Sequence, residues 1–132
     1  MTSYGERLAK AIRDTLHGSE LPFLITPDVP GWKDFITFTH GNGVAVHACY
    51  YVRDHRRAVT TEEVVDICDE ISFALEDRVL YRQQSIASLE PYRGPERDRR
   101  QIELDKATQA LADWREAAAR LHSIADDLRE QQ

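Results

Sequence analysis

Apolar residues return at alternating intervals of three and four along the C-terminal third of the chain: Leu104, Ala107, Leu111, Trp114, Ala118, Leu121, Ala125 and Leu128. That spacing is a seam on one side of a long α-helix, and Pro95, well suited to a first helical position, sets its start. The pattern predicts a helix from Pro95 to about residue 129. A second seam precedes it, through Val64, Ile67, Cys68, Ile71, Ala74, Leu75 and Val79. Thr60 and Glu63 form a capping box at its start, with Val59 stapled onto Val64, and Pro91 stops it. Tyr92, Arg93 and Gly94 make so short a connection that the two helices must form an antiparallel hairpin. Closing it around Arg93 sets Trp114 near Ile71, Leu111 near Ala74 and Leu75, Ala118 near Ile67, and Leu121 near Val64. The upper end fares differently, because Leu104 and Ala107 would meet Tyr81 and Arg78, and Ile102 would meet Gln83.

The N-terminal part reads as a short helix followed by strands. Ser3 and Glu6 form a capping box, Leu8, Ala11, Ile12 and Leu16 line one side, and Gly18 ends a helix over residues 4–17. Residues 21–25 are apolar but bracketed by Pro22 and Pro27, so a strand there belongs on a sheet edge. Residues 32–39 and 44–53 are rich in aromatic and β-branched side chains and meet across Gly41-Asn42-Gly43, which predicts a β-hairpin. A three-residue loop pairs Phe38 with Val46, Ile36 with Ala48 and Asp34 with Tyr50, giving one apolar face. A two-residue Asn42-Gly43 turn would oppose Phe38 to His47 and mix the faces, so the three-residue loop is preferred. Phe35, Thr37, Thr39, Ala45, His47, Cys49 and Tyr51 then share a semi-polar second face.

These elements predict an α+β fold in a single domain over residues 1–132. Residues 1–58 form an N-terminal helix and a small antiparallel β-meander of two or three strands, and residues 59–132 a long C-terminal antiparallel helical hairpin whose base packs on the sheet. About 35 residues of helix span roughly 50 Å, whereas a compact chain of this length has a diameter near 36 Å. The hairpin must therefore protrude or be covered by a second subunit.

Composition narrows the function classes. A net charge of -6 opposes bulk binding to nucleic acid or to an anionic membrane. The N-terminus lacks the basic start and apolar run of a secretory signal, and no stretch is long and apolar enough to cross a bilayer, so the protein is expected in the cytoplasm. Cys49 and Cys68, both among apolar neighbours, are expected to be reduced and buried.

Chemical motifs are sparse. His47 and Cys49 share a strand face with His40 and His55 near its ends, but no spacing supplies a complete metal-ligand set, and neither a metal nor another cofactor is expected. The acidic residues Glu63, Asp66, Asp69 and Glu70 read as a solvated helix side, and no phosphate-cradling glycine motif is present. Two Arg clusters stand out: Tyr92, Arg93, Arg97, Arg99 and Arg100 at the hairpin tip, with Tyr81 and Arg82 across the turn, and Arg53, His55, Arg56 and Arg57 after the second strand of the hairpin. Guanidinium groups beside aromatics at a helix N-terminus can hold a small anion such as a nucleotide.

Two functions are compatible with this pattern. The first is a non-enzymatic interaction protein, an adaptor, inhibitor or assembly factor that forms a homodimer through the hairpin, with Ile102, Leu104, Ala107, Leu111 and Trp114 as interface residues. The alanines at 107, 110, 117, 118 and 125 would allow close helix approach. The alternative is a protein that binds or sequesters a small anionic ligand through the Arg clusters. No pair of residues takes complementary acid and base roles, so an enzyme is not the expected reading.

Overall fold

The computed structural model describes residues 3–16, 21–27, 35–50, 54, 56–88 and 94–130, apart from the side chains of residues 120, 122–125, 128 and 129. Its elements are α1 (Tyr4–Thr15), β1 (Phe23–Pro27), β2 (Phe35–His40), β3 (Ala45–Cys49), α2 (Thr61–Ala87) and α3 (Pro95–Glu130). This is the expected α+β order with its C-terminal helical hairpin. Both anticipated N-caps are present: Ser3 Oγ accepts from the Glu6 amide and Thr60 Oγ1 from the Glu63 amide, at 3.1 and 3.2 Å. The first helix ends two residues earlier than its apolar pattern suggested, with Leu16 as its C-cap.

The strands form one antiparallel sheet in the order β1-β2-β3, which puts the proline-bracketed strand on the edge. Phe38 pairs with Val46 and Ile36 with Ala48. The loop has three residues: His40 N–H donates to the Val44 carbonyl at 2.8 Å, and Gly43 takes a φ of 99° that favours glycine. Asp34, Tyr51 and the outer ends expected for these two strands, 32–34 and 51–53, lie outside the described residues.

That register gives the sheet two unlike faces. Phe23, Ile25, Ile36, Phe38, Val46 and Ala48 are buried and share one core with all three helices. Leu24, Thr26, Thr37, Thr39, Ala45, His47 and Cys49 lie on the other face, which is half-exposed to exposed. Cys49 is thus exposed rather than buried, a correction with a simple cause. Its apolar neighbours in sequence, Ala48 and Tyr50, point through the sheet to the opposite side. Cys68 is buried in α2 as expected.

Trp114 is the centre of the core. Its ring meets Phe23 and Phe38 edge-on at centroid distances of 5.7 and 5.4 Å, and its indole N–H donates to Ser72 Oγ at 2.8 Å. Ser72 adjoins Ile71, so the hairpin closes within one residue of the expected register. Tyr4 and Tyr50 bring α1 onto the same face of the sheet, and a Cβ on Gly5 would lie 2.7 Å from the Tyr50 hydroxyl oxygen. Only glycine permits so close an approach there.

Both outer sheet edges are occupied by side chains. On β3, the Cys49 amide donates to Glu70 and the Ala45 carbonyl accepts from Arg78, both from α2. On β1, Arg13 donates to the Ile25 carbonyl, and Pro27 has no amide hydrogen to offer. Such capping discourages strand addition at either edge.

Candidate interaction surface

The base of the hairpin is consumed by the fold. Val64, Ile67, Cys68, Ile71 and Leu75 of α2 are buried, as are Ala107, Ala110, Leu111, Trp114, Ala118 and Leu121 of α3. Of the residues expected at an interface, Ala107, Leu111 and Trp114 therefore sit inside the protomer, Leu104 is half-buried, and Ile102 is 53% exposed. The close approach allowed by Ala107, Ala110 and Ala118 is spent within the chain. The side chain of Ala125 lies outside the described set. Alanines that do face outward are Ala112 and Ala119.

Above this base the pattern changes. No residue in 76–88 or 94–106 is buried, which amounts to about 18–20 Å of helix in each arm at 1.5 Å per residue. The last contacts with the sheet lie at the boundary: Arg78 with Ala45, and Asn42 Nδ2 with the Lys106 carbonyl at 3.0 Å. Helical spacing then shows what continues past it. Tyr81 stands three turns beyond Glu70, which bonds to β3, and Ile102 stands three turns before Asp113, which bonds to His40. Tyr81 and Ile102 thus occupy the side that the sheet covers lower down, and are 62% and 53% exposed.

The described members of the two Arg clusters are not assembled into one site. Arg56 and Arg57 precede α2, whereas Arg97, Arg99 and Arg100 open α3 at the other end of the hairpin, about 40 Å away along a helix of this length. Tyr92, Arg93 and Arg53 lie outside the described residues. At the tip, Arg99 and Arg100 both donate to Glu96, and Arg100 also reaches the carbonyl and hydroxyl oxygens of Ser85 at 2.9 and 3.0 Å. Those guanidinium hydrogen bonds hold the Glu96 carboxyl below its ordinary range. Arg82 lies 5.6 Å over the Tyr81 ring and 3.8 Å from Glu103. An open cleft of about 320 Å³ runs among Tyr81, Arg82, Glu96, Arg99, Arg100 and Glu103, and each of its three arginines is paired with one of the two carboxylates. Arg57 is paired with Glu63, whose carboxyl is pushed up by burial, with Asp66 adding to the shift and the Thr60 backbone opposing it.

The described His and Cys residues do not converge either. His47 and Cys49 face outward, with His47 Nδ1 2.9 Å from Thr37 Oγ1, whereas His40 points into the opposite layer. Among the described residues no three metal-ligating side chains come together. His40 belongs to a polar network that the sequence reading missed. Its Nε2 lies 2.7 Å from Asp113 Oδ2, its Nδ1 accepts from the Asn42 amide at 3.1 Å, and Gln109 donates to the other Asp113 oxygen. The neutral tautomer with hydrogen on Nε2 satisfies both ring nitrogens, which leaves neither for proton transfer to a substrate. The signal was alternation: His40 follows Ile36 and Phe38 on the inner face, so it required a polar partner.

Comparison with protein-family models, curated proteins and solved structures finds no match to this chain. Among the described residues no helix is long and apolar enough to cross a membrane.

Proposed function

We propose that this chain is a non-enzymatic interaction protein, an adaptor, inhibitor or assembly factor, that forms a homodimer through the distal part of its helical hairpin. The observation that carries this reading is the arrangement of exposed large apolar residues. Six are found among the described residues, and Phe73, Leu80, Tyr81 and Ile102 are on the hairpin. Tyr81 and Ile102 extend the sheet-facing side past the point where the sheet ends. A second copy turned about a two-fold axis would present the same side in return, which is the self-complementary geometry of a cyclic dimer.

Surface area supports the reading. The chain exposes 8977 Å², against about 7,100 Å² for a compact monomer of its mass. The excess is larger than the about 800 Å² that each partner buries in a standard interface. The occupied sheet edges argue against strand addition as the route to assembly. Unlinked Cys49 and Cys68 suit a reducing compartment, in keeping with a cytoplasmic protein. Binding of a small anion at the tip, the alternative, would have to displace Glu96 from Arg99 and Arg100.

Light scattering after size-exclusion chromatography tests the proposal. The expected mass is twice 15.2 kDa. Tyr81→Glu combined with Ile102→Glu is expected to halve it while leaving the circular dichroism spectrum intact, because neither side chain supports the core. A wild-type mass of one chain at micromolar concentration would overturn it.

A further inference from the structure

We infer that the groove between the outward sides of α2 and α3 is a docking site for a basic amphipathic helix from another protein. It lies on a different side of the hairpin from Tyr81 and Ile102, and does not depend on the dimer. The groove encloses about 400 Å³, with Ala118 and Ala119 among its lining residues on one side and Phe73 on the other. Phe73 is 67% exposed, and Leu80, one heptad further on, is 52% exposed. Both project from α2 opposite Ile71, which is fully buried, so the fold gives them nothing to cover. Two apolar residues at i and i+7 beside a lane of alanines match the contact side of a partner helix.

Charge selects the kind of helix. Residues 59–77 contain no Lys or Arg and seven acidic residues. Glu63 is paired with Arg57, Glu76 with Arg115, and Glu70 accepts from the Cys49 amide. Asp66, Asp69 and Asp77 are exposed and enter no ion pair among the described residues. They flank Phe73 at positions -7, -4 and +4; Asp69 lines the groove itself beside the Glu76–Arg115 pair, and Asp66 and Asp77 extend the acidic side along α2, where a docked helix would place its polar margin. A helix with apolar residues at i, i+3 or i+4, and i+7, and with Lys or Arg beside them, complements both features. A second copy of this chain does not supply one: the apolar side of α1 is in its own core, and the outward side of α2 is itself acidic.

A fluorescein-labelled synthetic peptide of about 18 residues, five helical turns, serves as the probe, with Leu at the contact positions and Lys elsewhere. Fluorescence anisotropy should show saturable binding. Phe73→Ala should weaken it about tenfold, and the combined Asp66→Asn, Asp69→Asn and Asp77→Asn change should weaken it and flatten its dependence on salt. A scrambled peptide of the same composition should bind at least about tenfold more weakly. Equal binding of the scrambled peptide, no saturable binding, or unchanged affinity in Phe73→Ala would overturn the proposal. Phe73→Ala should keep the wild-type melting curve and oligomer mass, so lost binding is not unfolding. A wild-type mass of one chain with peptide binding intact would reject the dimer and uphold this site.

Discussion

Up to Leu75 and down from Ala107 the two arms of the hairpin are core, closed around Trp114; past Arg78 and Lys106, toward the tip, the same two helices bury no described side chain fully, and Val79 and Leu104 are half-buried. The helices do not change across that boundary, since both continue unbroken with ion pairs between arms, such as Arg82 with Glu103. What changes is the sheet. It is only as long as β2 and β3 allow, and beyond the Gly41–Gly43 loop the described residues supply no second layer to receive an apolar side. The distal arms therefore hold together by polar contacts and keep Tyr81 and Ile102 available. Stability resides in the base, and the recognition surface proposed above lies in the extension.

Trp114→Ala is expected to have the largest effect. It empties a fully buried site, removes two edge-on aromatic contacts and leaves Ser72 without its donor, at a cost of about 3–5 kcal/mol. Ile102→Ala, a comparable truncation on the same helix, should change monomer stability by no more than about 0.5 kcal/mol. Urea denaturation of both variants, in a Tyr81→Glu background if the wild type is dimeric, checks the contrast. Equal losses would abolish the distinction between base and extension.

Thiol labelling probes the base without mutation. Burial pushes the Cys68 thiol up to about 12, with Asp69 adding to the shift, whereas Cys49 is exposed. Under native conditions Cys49 should react at least about a hundredfold faster than Cys68, because the thiolate is the reactive form and access requires opening of the core. Mass spectrometry should find one label per chain in buffer and two in denaturant. Rapid double labelling would mean that the base opens readily.

Much of this division was legible in the sequence. The seams, both N-caps, the three-residue loop and the hairpin register follow from local spacing and from the requirement that apolar residues share a face. Less legible was the depth of the core. Ala107 looked unpartnered because the hairpin alone offered it Arg78; in the fold that arginine turns to the Ala45 carbonyl, and Ala107 is covered. The link between His40 and Asp113 crosses 73 residues, and no local pattern encodes such a distance. The pairing at the tip was local and so legible: Glu96 sits three and four residues before Arg99 and Arg100, a spacing that brings them together on a helix.

His40 and Asp113 provide an intermediate test. Asp113→Ala leaves His40 Nε2 buried without an acceptor and should cost about 1–3 kcal/mol, and His40→Ala a similar amount. Arg100→Ala removes three hydrogen bonds in the extension, one more than either of those changes, yet should cost no more than about 1 kcal/mol because that site is open to water. A double-mutant cycle at each pair would sharpen the comparison. Stronger coupling between Arg100 and Glu96 than between His40 and Asp113 would reverse it.

The smallest expected effect is a dependence on pH with opposite signs at the two ends of the hairpin. Glu96, at the tip, has its carboxyl lowered from 4.5 by hydrogen bonds from Arg99 and Arg100, so its contribution to stability is complete above that value and is lost as the pH falls through the folded value. Glu63, at the start of α2, has its carboxyl raised from 4.5 by burial. The folded chain holds that proton more tightly than the unfolded chain, so its contribution is complete below 4.5 and is lost as the pH rises through the folded value. Carboxyl carbon chemical shifts followed by NMR from pH 2 to 7 should place the Glu96 midpoint below 4.5 and the Glu63 midpoint above it. Glu96→Gln should lower stability above 4.5 and so remove that residue's part of the acid-side loss, while Glu63→Gln should remove the decline above 4.5. Coincident midpoints would show that Glu96 is not held by its arginines in solution, and the cleft at the tip would then have cations to offer a ligand.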